Sequence, residues 1–227
     1  MNKVLKKHSI FAVNKKETTK INELPEKEVM QDSVISSDLN EPVKKSVLKR
    51  LPWLVILLLL GTGVSATVGI FESIVTHLPV IMFFQSLILD MAGNVGTQSL
   101  AVAIRVLIDN ELSAQKKFSL ILKECRIGII NGGILGVLSF VSVGGYLCLK
   151  GNDAFFAFSV SGCLGVAMVV AMAISAFSGT IIPVVFQKAG VDPAVASGPL
   201  ITTVNDLVAV ITYYGLAWLI LINFLHF

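Results

Sequence analysis

Five apolar runs within residues 51–227 are each longer than the roughly 18 residues that carry a helix across a bilayer. A soluble core of this size has no use for such runs, so the chain reads as an all-α membrane protein of five transmembrane helices. Composition agrees: 54% of the 227 residues are hydrophobic and only 15% are charged. The charges are also unevenly placed. Residues 1–50 hold eleven Lys/Arg and seven Asp/Glu, while residues 51–227 hold seven basic and eight acidic residues. The expected organisation is therefore a polar cytoplasmic tail over 1–50, largely disordered or weakly helical, and a membrane domain over 51–227. No secretory signal is expected, because Ile10-Phe11-Ala12-Val13 is too short for an apolar signal core.

Span one is expected over about Leu51 to Phe71, opened by Pro52-Trp53, with the Lys44-Lys45 to Lys49-Arg50 stretch touching anionic lipid headgroups. His77 and Pro79 fall in a short turn. Span two covers about Leu78 to Ile108 and is long enough to be tilted or broken near Gly93-Asn94. Asp109 to Ser119 reads as a polar loop. Span three runs from about Leu120 to Leu149, with Gly128, Gly132, Gly133 and Gly136 spaced for close helix contact. Lys150 to Asp153 makes a tight connection. Span four covers about Ala154 to Phe186, where Gly179 to Pro183 leave room for a break, and span five runs from near Pro199 to about Phe224. With the N-terminus inside, 17 of the 18 basic residues lie on the cytoplasmic side and only Lys150 lies outside. The positive-inside bias thus predicts an internal N-terminus and, after five crossings, an external C-terminus.

Several function classes fall away. No basic patch interleaved with aromatics suggests nucleic-acid binding. Cys125, Cys148 and Cys163 show neither metal spacing nor a disulfide framework and read as small buried hydrophobes. The three histidines, His8, His77 and His226, lie near no nucleophile pattern, so an enzyme is not expected. No Gly-rich phosphate loop marks energy coupling.

Three polar positions stand where hydrocarbon should be: Asp90, Asn94 and Asp206. An ionised Asp at the centre of an isolated membrane helix costs roughly 2.5–3.5 kcal/mol, and no Lys or Arg lies deep in a span to offset it. A mobile cation is the natural counter-charge. Asp90, Asn94, Thr97 and Ala101 follow helical spacing and are expected on one face of span two; Thr202, Asp206, Ala209 and Tyr213 are expected on one face of span five. Asp206, seven residues past Pro199, lies about 10 Å into its helix. Acid, amide and hydroxyl oxygens without nearby His or Cys suit a hard cation that keeps part of its water. Blander readings stand beside this one. A lone intramembrane Asp can be protonated and hydrogen-bonded to a neighbouring helix, Asn94 can be interhelical glue, and Gly93 and Gly96 can serve packing alone. Glu72 and His77 can be interface residues, and Asp192, before Pro193, can be a turn or cap residue.

At these same positions the chain resembles the MgtE-type magnesium transporters. The segments Met91-Ala92-Gly93-Asn94-Val95-Gly96-Thr97-Gln98-Ser99-Leu100-Ala101 and Val191-Asp192-Pro193-Ala194-Val195-Ala196-Ser197-Gly198-Pro199-Leu200-Ile201-Thr202-Thr203-Val204-Asn205-Asp206 carry the likeness. Leu51-Pro52-Trp53 and Phe71-Glu72 extend it over about residues 48–224. The resemblance implies a five-helix protomer that forms a homodimer in the cell membrane around a central pore lined by spans two and five. It implies that Asp206 holds hydrated Mg2+, that Asp192 lies near the cytoplasmic mouth, and that Asn94, Gly198 and Thr202 line the pore. Many members have a small residue at the place of Asp90, so binding there is expected to be stronger or its selectivity altered. The 50 polar residues ahead of span one are too few for the cytosolic N-domain and paired CBS domains of many members. Feedback gating is therefore expected to be lost, supplied by another protein, or confined to the membrane part.

The mechanism expected is passive, channel-like uptake of Mg2+ or other divalent cations, attracted outside by Glu72 and pausing at paired Asp206 carboxylates. Its rivals are a proton- or sodium-coupled exchanger with Asp90 and Asp206 as relays, and a membrane scaffold or lipid enzyme that transports nothing.

Overall fold

The computed structural model describes residues 41–107, 113–190 and 198–226. The described residues form α1 (Val43–Ile70), α2 (Glu72–His77), α3 (Val80–Leu107), α4 (Ala114–Leu149), α5 (Ala154–Lys188) and α6 (Gly198–Ala217). The last continues as a π-helical segment, Trp218–Phe224. Five of these helices are long and apolar enough to cross a membrane, and no strand occurs among the described residues. That is the arrangement hydrocarbon allows, since an α-helix satisfies its backbone groups within one segment. Spans one to five correspond to α1, α3, α4, α5 and α6.

Two of the spans start earlier than expected, each for a local reason. Helix α1 starts at Val43 rather than Leu51, so part of the expected tail is helical. Pro42, which has no N–H to lose, stands at its start, where its carbonyl accepts from Lys45 and Ser46. The Glu41 carboxylate accepts from Ser46 at 2.8 Å and pairs with Lys45 and Lys49. Helix α4 starts at Ala114, inside the expected loop, because Ser113 caps it by accepting from the Lys116 N–H and strong helix formers follow. Helix α3 runs unbroken through Gly93-Asn94, and α5 runs unbroken through Pro183. Neighbouring helices hold both segments, which is how membrane helices tolerate glycine and proline. The connection at Lys150–Asp153 is as tight as expected. Gly151 adopts φ +88°, a conformation that favours glycine. Asp153 then caps α5 by accepting from the Phe155 and Phe156 N–H groups.

Helix α1 buries none of its residues; only its far end, at Val64 and Val68, leans on the core. Helix α5 is the most buried span and forms the centre of the bundle. Its seam with α4 is made by small residues: a Cβ on Gly128, Gly132 or Gly136 would come within 2.8–2.9 Å of α5 atoms. Gly133, one position round, meets open space and takes no part in that seam. The seam with α3 is tighter still, because a Cβ on Gly179 would lie 2.3 Å from the Gly96 carbonyl oxygen. At one end of the bundle Tyr213 donates to the Ile81 carbonyl at 2.8 Å and Tyr214 donates to Gln85 at 2.6 Å, joining α6 to α3. At the other end Gln187 of α5 accepts from Lys117 at 2.7 Å and donates to the Leu107 carbonyl at 2.8 Å, tying three helix ends together.

Two predictions follow from this packing. Gly179→Ala should destabilise the bundle by about 1–3 kcal/mol, because the methyl overpacks a backbone contact. Gly133→Ala should be neutral or stabilising by up to about 1 kcal/mol from helix propensity alone; unfolding midpoints in mixed micelles would read both. At Glu41, hydrogen bonds from Lys49 and Ser46 hold the carboxyl down at about 2 from its usual 4.5. A depressed carboxyl stabilises above its unfolded value and loses that contribution as pH falls through its folded one. The start of α1 should therefore fray between about 4.5 and about 2. Faster amide exchange at Lys45 to Lys49 in that window, absent in Glu41→Gln, would be the measurement.

Candidate metal pathway on helices three and six

Of the residues that the sequence marks for chemistry, Asp90, Asn94, Thr202 and Asp206 sit on two helices packed against each other, α3 and α6. On α3 the buried side carries Ala92, Val95, Gly96, Ser99 and Leu100, which face the bundle. The opposite side is open. Asp90, Asn94 and Ala101 are exposed there and Thr97 is partly so, making one uncovered stripe with an acid, an amide and a hydroxyl. Asp90 lies ten residues past Val80, about 15 Å along the helix, well away from either end. This stripe is as the spacing predicts.

The stripe expected on α6 does not hold along its whole length. Thr202 is exposed and Asp206 half-buried, but Ala209 and Tyr213 are 0% and 2% exposed and belong to the core. The reason is the ring pair near the top of α6: Tyr213 bonds the α3 backbone, and Tyr214 stacks on Phe71 at 5.6 Å. Those contacts turn the upper half of α6 inward, so its polar face is confined to the first turns. The Thr202 hydroxyl donates to the Gly198 carbonyl at 3.1 Å. Glu72 is exposed in the first turn of α2. Asp192 lies outside the described residues. Among the described residues, no three His, Cys, Asp or Glu side chains gather into a metal cage within one protomer.

The neighbour of Asp206 explains how that acid is held. Asn205 is fully buried, and its Oδ1 accepts from Ser178 Oγ of α5 at 2.7 Å. Its Nδ2 has no hydrogen-bond partner and lies where a Cβ of Gly96 would be, 1.8 Å from that position. Three helices thus meet at Gly96, Ser178-Gly179 and Asn205. Thr97 follows Gly96 and Asp206 follows Asn205, so one joint sets the rotation of both polar stretches.

Two polar residues were not singled out from the sequence. Asn205 stands within the second motif segment, and nothing in its spacing distinguishes a buried amide from an exposed one. Glu124 of α4 is 4% exposed and accepts from Ser99 Oγ at 3.0 Å. Its signal was present: Glu124 stands four residues before Gly128 in the row that continues to Gly132 and Gly136, the packed face of α4.

Chemically, the arrangement offers oxygen ligands in single file along two helices rather than a closed cage. Hard, hydrated cations accept such ligands through their water shell. No lysine or arginine pairs with Asp90 or Asp206 among the described residues.

The comparisons with known proteins fall on these helices. The family pattern of MgtE, described as a divalent cation transporter, matches residues 85–216. The magnesium transporter MgtE of Enterococcus faecalis is 37% identical over 180 residues, 79% of this chain and 38% of the relative. That of Bacillus subtilis is 39% identical over 170 residues, 74% of this chain and 36% of the relative. That of Thermus thermophilus is 31% identical over 174 residues, 77% and 37% respectively. The matched stretch is less than two-fifths of the length of each relative. With five spanning helices and the match running from α3 into α6, the chain is a multi-pass cell-membrane protein that belongs to the MgtE family of divalent cation transporters.

Proposed function

We propose that this chain carries divalent cations, magnesium first, inward through a path between two copies, lined by α3 and α6. The observation that carries the reading is the uncovered polar stripe of Asp90, Asn94 and Thr97 at membrane depth, beside the half-buried Asp206. In hydrocarbon such a face costs several kcal/mol for each unsatisfied polar group. A wet path between two symmetric copies removes that cost, and two copies supply paired Asp206 carboxylates that one protomer lacks. The named relatives support magnesium as the ion.

In this reading Glu72 attracts cations at the outer side and Asp206 holds a hydrated ion by its outer shell. Thr202, Asn94 and Asp192 line the way in and out. Magnesium sheds water reluctantly, so recognition through water is less costly than a dry cage. The membrane potential contributes about 2.3 kcal/mol per charge per 100 mV, hence about twice that for a divalent ion, so passive flow suffices.

Asp206→Ala should lower magnesium uptake into proteoliposomes by at least about a hundredfold, since the mutation removes the paired charge that holds the hydrated ion. Asp206→Asn should lose most of the same activity, because the amide keeps the shape and drops the charge. Wild-type flux in either variant would sink the reading. Uptake that dissipates an imposed proton or sodium gradient would replace it with the coupled exchanger.

A further inference from the structure

The open side of α3 does not end at its polar stripe. Beside it lies a groove of about 240 Å³ between α3, α4 and α5. Its polar lining is three side-chain amides, Asn94 and Gln98 of α3 and Asn131 of α4; Met91, Ile134 and Met172 supply much of the apolar remainder. Gln98 precedes Ser99, whose hydroxyl bonds Glu124 of α4, so this edge of α3 looks toward α4. Asn94 belongs both to the stripe and to the groove, and joins them.

Depth gives the groove its meaning. Asn94 stands midway along the 28 residues of α3, and Asn131 midway along the 36 residues of α4. Asn94 and Gln98 are exposed and Asn131 partly so, and their amides make no hydrogen bond to another described residue. Lipid tails cannot satisfy three amides at that depth, and each costs free energy if left dry. Water can. A single Asn at mid-membrane would read as helix glue, but glue pairs with a neighbouring helix, and these three face a common opening instead.

We propose that the groove is a wet extension of the cation path, in which Asn131 of α4 is a lining residue and a hydrated divalent cation rests by its water shell against the three amide oxygens. The inference rests on the proposed transport through α3 and α6, and adds a third helix to it. Neutral amides suit a transient station: they accept hydrogen bonds from the ion's waters without the charge that would trap it.

The test uses the full chain in proteoliposomes, with Cys125→Ser, Cys148→Ser and Cys163→Ala as background and magnesium as the probe ion. Asn131→Cys and, as control, Ile130→Cys on the exposed apolar side of α4 are labelled with a charged thiosulfonate. The reagent reacts with thiolate, which forms only in water, so N131C should label at least about a hundredfold faster than I130C. Millimolar magnesium should slow that labelling several-fold. Labelling as slow as at I130C, labelling that magnesium leaves unchanged, or an N131C–N131C disulfide between copies would each overturn the proposal. Should N131C fail to assemble, Asn131→Asp decides. In a wet groove it assembles and lowers the half-saturating magnesium concentration several-fold; failure to assemble, or no shift, overturns the proposal. Slow labelling of N131C in a chain whose uptake requires Asp206 removes this inference alone, whereas uptake indifferent to Asp206 removes the transport reading.

Discussion

Gly96 and Gly179 bring the backbones of α3 and α5 into contact, and the Asn205 amide of α6 occupies the space that a side chain on Gly96 would need. Much of the bundle's geometry hangs on this joint. Helix rotation is fixed where two backbones touch, because no flexible side chain lies between them to absorb an error. The residues on either side then have no choice of direction. Thr97 and Asn94 turn to the open side of α3, and Asp206 is left at the margin of the buried face. The Ser178–Asn205 hydrogen bond adds direction to the contact.

Around this joint the bundle divides its polar groups into two kinds. Most of those turned inward are matched within the protein, Glu124 with Ser99, Tyr213 with the α3 backbone and Tyr214 with Gln85; the Asn205 Nδ2 and the Ser175 hydroxyl are the exceptions among the described residues. Those turned outward on α3, namely Asp90, Asn94 and Gln98, have no such match, and hydrocarbon offers none. This uncovered polar face of α3 is the observation on which the proposed cation path rests.

The spans were legible from the chain because an apolar run of bilayer length has few other uses, and their order and number follow without tertiary information. Boundaries were less so. Val43 to Arg50 looks like a solvated tail by composition, and only the Glu41 contacts with Ser46, Lys45 and Lys49 reveal a helix start. Pro183 reads as a breaker until a neighbouring helix is present to hold the segment. Of the candidate site, the α3 stripe was legible because 3.6-residue spacing holds along a straight helix with one packed side. The α6 stripe was legible only up to Asp206. Spacing predicts which residues share a face, but not which way the face points once Tyr213 and Tyr214 have found partners on α3.

The sequence by itself therefore determined that this chain crosses a membrane five times, that acids and amides ride on two of the crossings, and that two long motifs place it among divalent cation transporters. Hydrophobic length, helical period and motif order are local properties, and they survive without knowledge of neighbours. Which glycines make contact, that Asn205 and Glu124 are buried while Asp90 and Asn94 are open, and that Asn131 shares a groove with Asn94 were decided by tertiary structure alone. Those facts depend on the rotation of each helix about its own axis, which is set by contacts between segments far apart in the chain.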